Sequence, residues 1–262
     1  MMSNPEILVL DDFSPLSNKA LELAGVWAHA LNFSLAALHI CVEPEGCEDA
    51  KAQMRERAVK LAQPGLSKAF ARSGNLFQEI RSCYIHEHPA LMVFGTHGIH
   101  GFSQMLFGAN SMRIVTDTAC PALLLQQQTP RRLPARWLVL NNTPWDAHSI
   151  HRLCGLLKSA AGQAGLLHIS LDMNDLSHED TAALDATSRL FSDADVSVHA
   201  EAVLRHGFGA GLSHQVYDYL GQGGYDLLVM SRQSYPVLGK TAYEADCEAL
   251  VNNPAGIPVL FI

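Results

Sequence analysis

Residues 91–125 read LMVFGTHGIHGFSQMLFGANSMRIVTDTACPALLL, and this stretch decides the fold. Leu91–Phe94 is a short, fully apolar run, the pattern of a parallel strand buried on both faces. Gly95 and Gly98 follow it. Nine residues separate Gly98 from Gly108. Ala109-Asn110-Ser111 then opens a helical pattern through Met112, Ile114 and Val115. Pro121 stops that helix, and Ala122–Leu125 is apolar again. A strand therefore feeds a glycine-punctuated loop, the loop feeds a helix N-terminus, and a second strand follows. Backbone N–H groups in such a loop can face an anion, helped by the helix dipole. Glycine allows the backbone to approach a phosphate closely.

Outward from that stretch, the chain repeats the same grammar. Ile7–Leu10 is an apolar strand ending in Asp11-Asp12, and Ser17 is expected to cap a helix with Ala20, Leu23, Ala24, Trp27 and Leu31 on its inner face. Leu35–Val42 is the next strand. Glu48–Ala62 reads as a short helix closed by Pro64-Gly65, Lys68–Arg72 as a short strand, and Leu76–His86 as a helix. The alternation implies a parallel sheet wrapped by helices on both faces. Gln126–Arg132 is polar and ends near Pro130 and Pro134, as expected of a linker.

After residue 135 the pattern begins again. Leu8-Val9-Leu10-Asp11-Asp12 is echoed by Leu138-Val139-Leu140-Asn141-Asn142, and His39-Ile40 by His168-Ile169. Arg72-Ser73-Gly74 is echoed by Arg205-His206-Gly207, Leu91–Phe94 by Leu227–Met230, and Pro121–Leu125 by Pro258–Ile262. The offset drifts only from 129 (His39 to His168) to 137 (Pro121 to Pro258), so one unit has been duplicated in tandem. The second copy is expected to carry a helix from about Ala147 to Ala161, another opened by a capping box at Ser177, and a third over Leu212–Leu220.

Composition narrows the function classes. The chain has 262 residues, 48% apolar and 17% charged, which suits one large or two ordinary globular domains. A net charge of −8 argues against non-specific nucleic-acid binding, which needs a basic face. Six scattered cysteines without a C-x-x-C pattern argue against a disulfide framework or a zinc site and suit a reducing compartment. Cys41 and Cys120, beside strands, are expected to be buried packing thiols. The opening MMSNPEILVLDD has no basic segment before an apolar one, and no apolar run approaches membrane-spanning length. A cytoplasmic protein with no membrane partner is expected.

The spacing Gly95-x2-Gly98-x9-Gly108, with its flanking strands, resembles the nucleotide loop of the universal stress protein family, G-x2-G-x9-G followed by Ser or Thr. With the internal repeat, the resemblance covers nearly the whole chain as a tandem two-domain protein of the UspA-like type. It implies an α/β fold of two tandem open parallel five-stranded sheets with helices on both faces, similar to adenine-nucleotide alpha hydrolase-like domains. The first domain would span 1–127, the linker 128–135 and the second domain 136–262. In the family, domains associate edge to edge through their last strands. Here Ala122–Leu125 and Val259–Ile262 would make that pairing as an intramolecular pseudo-dimer, with further homodimerisation left open.

By the same resemblance, Asp12 would lie near the nucleotide, Ile40 would line the adenine by backbone contact, and Gly95, Gly98, Gly108, Ala109 and Asn110 would face ribose and phosphates. One departure stands out. Ala109 replaces the family's Ser or Thr, keeping the N–H but losing a hydroxyl, at a cost of roughly 1 kcal/mol. No Lys or Arg lies between Gly95 and Ser111, so a triphosphate would lean on backbone dipoles and Mg²⁺, and ADP or AMP is as credible as ATP. A nucleotide-free structural or interaction protein with a degenerate site is the alternative. The protein partner of either is not written in the sequence.

The second half has Ser231-x2-Ser234-x9-Glu244 in place of the glycines. Glu244 and Asp246 there would repel phosphate. Gly239-Lys240-Thr241 lacks the first P-loop glycine, and Gly207-x-Gly209-x-Gly211 is not a dinucleotide fingerprint. His86-x-His88 and His148-x2-His151 lack a third ligand for a metal. No second acid, base or nucleophile is seen to complete a mechanism with Asp12, so no enzyme is expected.

Overall fold

The computed structural model describes residues 5–60, 66–96, 108–142, 145–170, 175–204, 212–232, 249–253 and 255–262, with backbone only at 108–110. The chain divides into two compact units, Met1–Leu133 and Pro134–Ile262. The first contains β1 (Glu6–Leu10), α1 (Pro15–Leu31), β2 (Ser34–Cys41), α2 (Cys47–Lys60), β3 (Leu66–Ser73), α3 (Leu76–Glu87), β4 (Leu91–Gly95), α4 (Gly108–Asp117) and β5 (Ala122–Leu125). The second contains β6 (Arg136–Leu140), α5 (Ala147–Ser159), β7 (Gln163–Ile169), α6 (His178–Asp193), β8 (Val198–Val203), α7 (Leu212–Gly223), β9 (Leu227–Met230) and β10 (Val259–Phe261).

Within the first unit the strands run in the order β3-β2-β1-β4-β5, and within the second in the order β10-β9-β6-β7-β8. Every pairing described inside a unit is parallel. The repeat seen in the sequence is repeated in register. Val9 lies between Ala37 and Val93, and its echo Val139 lies between Leu166 and Val229. Strands β1, β4 and β5 are almost wholly apolar and buried, the pattern of strands covered on both faces. Trp27 and Phe94 fill the first core; Trp137, Phe191 and Phe261 fill the second.

Local chemistry adjusts several ends. Helix α1 begins at Pro15 rather than after Ser17, because Pro15 sets a helical φ at the first position and Ser14, in extended conformation, accepts from the Ser17 N–H at 3.1 Å. Asn75 caps α3 by accepting from the N–H groups of Phe77 and Gln78. Helix α5 ends at Ser159, because Ala161 takes a left-handed φ of 52°. The capping box expected at Ser177 is present, with Asp180 as its second member.

The polar stretch after β5 does not hang free. Thr129 and Gln126 close a buried turn, Lys19 of α1 donates to the carbonyls of Gln127 and Thr129, and Arg131 pairs with Glu22 at 2.6 Å. The cysteine reading is corrected at one pair. Cys41 is bonded to Cys47, with Cα atoms 5.7 Å apart, because the short 3₁₀ turn Pro44–Gly46 folds the start of α2 back to the end of β2. Cys120 does pack in the core, donating its thiol to the Pro89 carbonyl.

Phe94 is fully buried at the centre of the first unit. Phe94→Ala should cost about 3–5 kcal/mol by loss of apolar burial plus a cavity. Urea unfolding of the full chain, followed by fluorescence with Trp137 and Trp145 replaced by Phe so that Trp27 alone reports, should show the transition moving to lower urea. An unmoved midpoint would contradict this packing.

Candidate functional site

In an open parallel sheet the groups at the carboxyl ends of the strands are where a ligand is met. In the first unit those ends form a pocket lined by Leu10, Asp11 and Asp12 from β1 and its exit, Leu38, His39 and Ile40 from β2, and Leu76 and Ile80 from α3. Most of that lining is aliphatic.

The rim is built around a buried charge. Asp11 is 4% exposed, and Arg57 of α2 donates to both its carboxylate oxygens at 2.7 Å. Arg57 also donates from Nε to Asn18 at 2.8 Å, and it reaches Ser17 at 3.3 Å. A single guanidinium thus joins β1, α1 and α2. Phe13 sits above it with a φ of 64°, a backbone conformation uncommon for an aromatic residue. Three contacts hold it there. Its N–H donates to Asp11 at 2.9 Å, its ring lies 4.3 Å from that of His39, and Arg57 lies 5.0 Å from its centroid. His39 Nδ1 meets the Asp11 carbonyl at 2.7 Å, closing the circuit.

The site residues read from the sequence fall in three places. Asp12 and Ile40 line the pocket. Asp12 also accepts from the Ser14 N–H at 3.0 Å, so it braces the turn into α1. Gly95 ends β4 outside the lining, and a Cβ there would run into the Leu16 side chain of α1. Gly108, Ala109 and Asn110 form the first residues of α4. Gly98 lies outside the described residues, as do Gly207 to Gly211, Gly239-Lys240-Thr241, Glu244 and Asp246. Arg57 was missed. A search for basic residues confined to the glycine loop could not find a cation supplied by α2.

The second unit answers the same position differently. His168 Nδ1 meets the Asn141 carbonyl at 2.7 Å, as His39 meets that of Asp11. Its Nε2 meets Asp180 at 2.7 Å. Ser170 donates to the other Asp180 oxygen at 2.7 Å, and the Ser177 N–H donates at 3.0 Å. Thr187 donates to the Asn141 amide oxygen at 2.8 Å. Here an Asn–Thr pair replaces the Asp–Arg clasp, and the capping carboxylate Asp180 turns inward to hold the histidine. Burial pushes the Asp180 carboxyl upward, but hydrogen bonds from Ser170, His168 and Ser177 outweigh it and hold the group below the usual carboxylate range. Two hints were in the sequence: the His39–His168 echo and the capping box. Among the described residues no group of His, Cys, Asp and Glu could hold a metal ion. No described helix is long and apolar enough to cross a membrane.

Comparison with known proteins places this geometry. Residues 4–126 match the profile of the Universal stress protein family, so this half of the chain carries that family's domain. The family is non-catalytic, which supports a non-enzymatic role. Solved structures extend the likeness in fold to both halves. A universal stress protein from Archaeoglobus fulgidus DSM 4304 aligns with a TM-score of 0.72 at 18% identity, over 99% of this chain and 96% of that one. A putative universal stress protein from Pseudomonas aeruginosa UCBPP-PA14 aligns at 0.63 and 14% identity, over 99% and 93%. The cytoplasmic domain of a prokaryotic cation chloride cotransporter aligns at 0.54 and 11%, over 98% and 95%. At such identities the shared property is the fold. A search of curated proteins gave no match.

Two outcomes follow from these networks. Arg57→Ala should destabilise the first unit by about 3–5 kcal/mol, because it strands a buried carboxylate. Pairing Arg57→Met with Asp11→Asn should recover most of that loss in the same unfolding assay. Equal stability of Arg57→Ala and the parent would remove the clasp from the account. In the second unit, Asp180 titrates lower when folded than its unfolded value near 3.9. Its contribution is therefore complete above about pH 5 and is lost as pH falls through the acid range. Thermal unfolding from pH 6 to 2 should fall more gently for Asp180→Asn than for the parent. Parallel curves would show that the carboxylate's charge does not matter.

Proposed function

We propose that the chain is a tandem stress-response protein that acts as a non-enzymatic regulatory module, with one adenine-nucleotide site in its first domain. In this reading residues 1–127 form the domain that binds, 128–135 connect, and 136–262 form a second domain with a degenerate loop. The observation that carries the reading is the pocket itself. It opens at the carboxyl ends of β1 and β2, its walls are aliphatic, and Asp12 and Ile40 stand in it. A flat apolar base suits such a slot, with the Ile40 backbone, beyond the end of β1, meeting its polar atoms. Ribose and phosphates would extend toward Gly95, Gly98 and the first N–H groups of α4 at Gly108, Ala109 and Asn110, with Mg²⁺ offsetting the charge. With no Lys or Arg between Gly95 and Ser111, AMP or ADP suits the site as well as ATP does. Linkage supplies the regulation: ligand bound to one conformation of the rim shifts the surface a partner protein reads.

A specific observation favours a second reading, a nucleotide-free interaction protein. Asp11 is already neutralised by Arg57, which is thereby withdrawn from any phosphate. Ala109 offers no hydroxyl. Calorimetry decides between the two. Protein purified without added nucleotide and then emptied would be titrated with ATP, ADP and AMP, each with and without Mg²⁺. The first reading expects one adenine nucleotide per chain, lost in Gly108→Glu and weakened in Asp12→Ala. No heat with any of the three, and no nucleotide released on denaturation, would leave the second reading standing.

A further inference from the structure

Cys41 is the last residue of β2 and Cys47 the first of α2, and the two are joined. Only a short exposed turn separates them, closed by the Gly46 N–H donating to the Glu43 carbonyl at 3.2 Å. Cys47 is half-buried and open to small reagents. Cys83, Cys120 and Cys154 are buried thiols, and burial pushes the Cys83 thiol up to about 11. Among the described residues, accessible sulfur chemistry is therefore concentrated at this one pair.

The bond also lies where it can matter. Helix α2 is lightly packed: it buries only Ala50, Met54 and Ala58. Its other strong tie is Arg57, which reaches across to Asp11 on the pocket rim. The helix is thus held by sulfur at its start and by a guanidinium near its end. We propose that Cys41 and Cys47 form a reversible thiol–disulfide couple that sets how firmly α2, and with it Arg57, is held against the end of β1.

The chemistry is thiol–disulfide exchange with a low-molecular-weight disulfide of the glutathione class. The Cys47 thiolate attacks one sulfur of that disulfide, whose S–S bond breaks and releases one small thiolate. The Cys41 thiolate then attacks the Cys47 sulfur of the mixed disulfide, and the second small thiolate leaves. Two cysteine thiols are oxidised, one small disulfide is reduced to two thiols, and the two cysteine protons end on the released thiols. Excess small thiol runs the same steps backward.

The couple does not rest on nucleotide binding, and its test needs none. The full chain would be equilibrated in graded mixtures of reduced and oxidised glutathione, quenched in acid, alkylated after denaturation and mapped by mass spectrometry. Cys41 and Cys47 should convert together, losing two hydrogens as a pair. Amide hydrogen exchange would then be compared in the two forms. Residues 47–60 should exchange about tenfold more slowly when oxidised, while β4 and β5 are unchanged. Cys47→Ser should show the faster rate in every mixture. A pair that stays in one state across the whole series overturns the proposal, and so does equal exchange of 47–60 in the two forms.

Discussion

A parallel sheet concentrates a problem at the carboxyl ends of its strands. There the backbone leaves the ladder, helices crowd in from both faces, and polar groups are carried below the surface without their usual water. In the first unit the problem is the Asp11 carboxylate, which lies at 4% exposure. A buried charge left alone would cost several kcal/mol, so a partner must come from somewhere. Arg57 comes from α2, and its position then draws in Asn18, Ser17 and the strained Phe13. One edge of the pocket, at Asp11 and His39, is thus fixed by how that one charge is met.

The second unit solves the same problem without a buried Asp–Arg pair. Asn141 in place of Asp11 removes the charge, and Thr187 meets its amide oxygen. The histidine of β7 keeps its bond to the carbonyl at the end of β6 but gains Asp180 on its far side. The histidine contact is common to both units, so it belongs to the architecture. What differs, clasp against Asn–Thr pair, tracks the change from Asp11-Asp12 to Asn141-Asn142. The two halves share a frame and have diverged at its rim.

Much of the frame was legible in the sequence, because buried parallel strands are plain apolar runs and the duplication repeats them. Ile7–Leu10, Leu91–Phe94 and Ala122–Leu125 could be read directly. Less legible was whatever depends on residues far apart in the chain. Arg57 looks like one more charge on a polar helix until α2 folds across α1. Cys41 and Cys47 are near in sequence, but only the turn between them brings their sulfurs together. The anchoring of Gln126–Arg132 was hidden for the same reason: composition marks the stretch as polar, while Lys19 and Glu22, which tie it down, lie on α1.

The glycines show how a motif can be right about place and still mix two causes. Gly95 was read as a loop residue that lets backbone approach a phosphate. In the fold, Leu16 of α1 packs so closely over it that any side chain there would collide. That crowding would demand glycine whether or not a ligand ever bound. At the matching position of the second unit stands Ser231, buried with its side chain accommodated, so the demand is set by the local helix and not by the sheet. Gly95 therefore carries little weight for a nucleotide on its own.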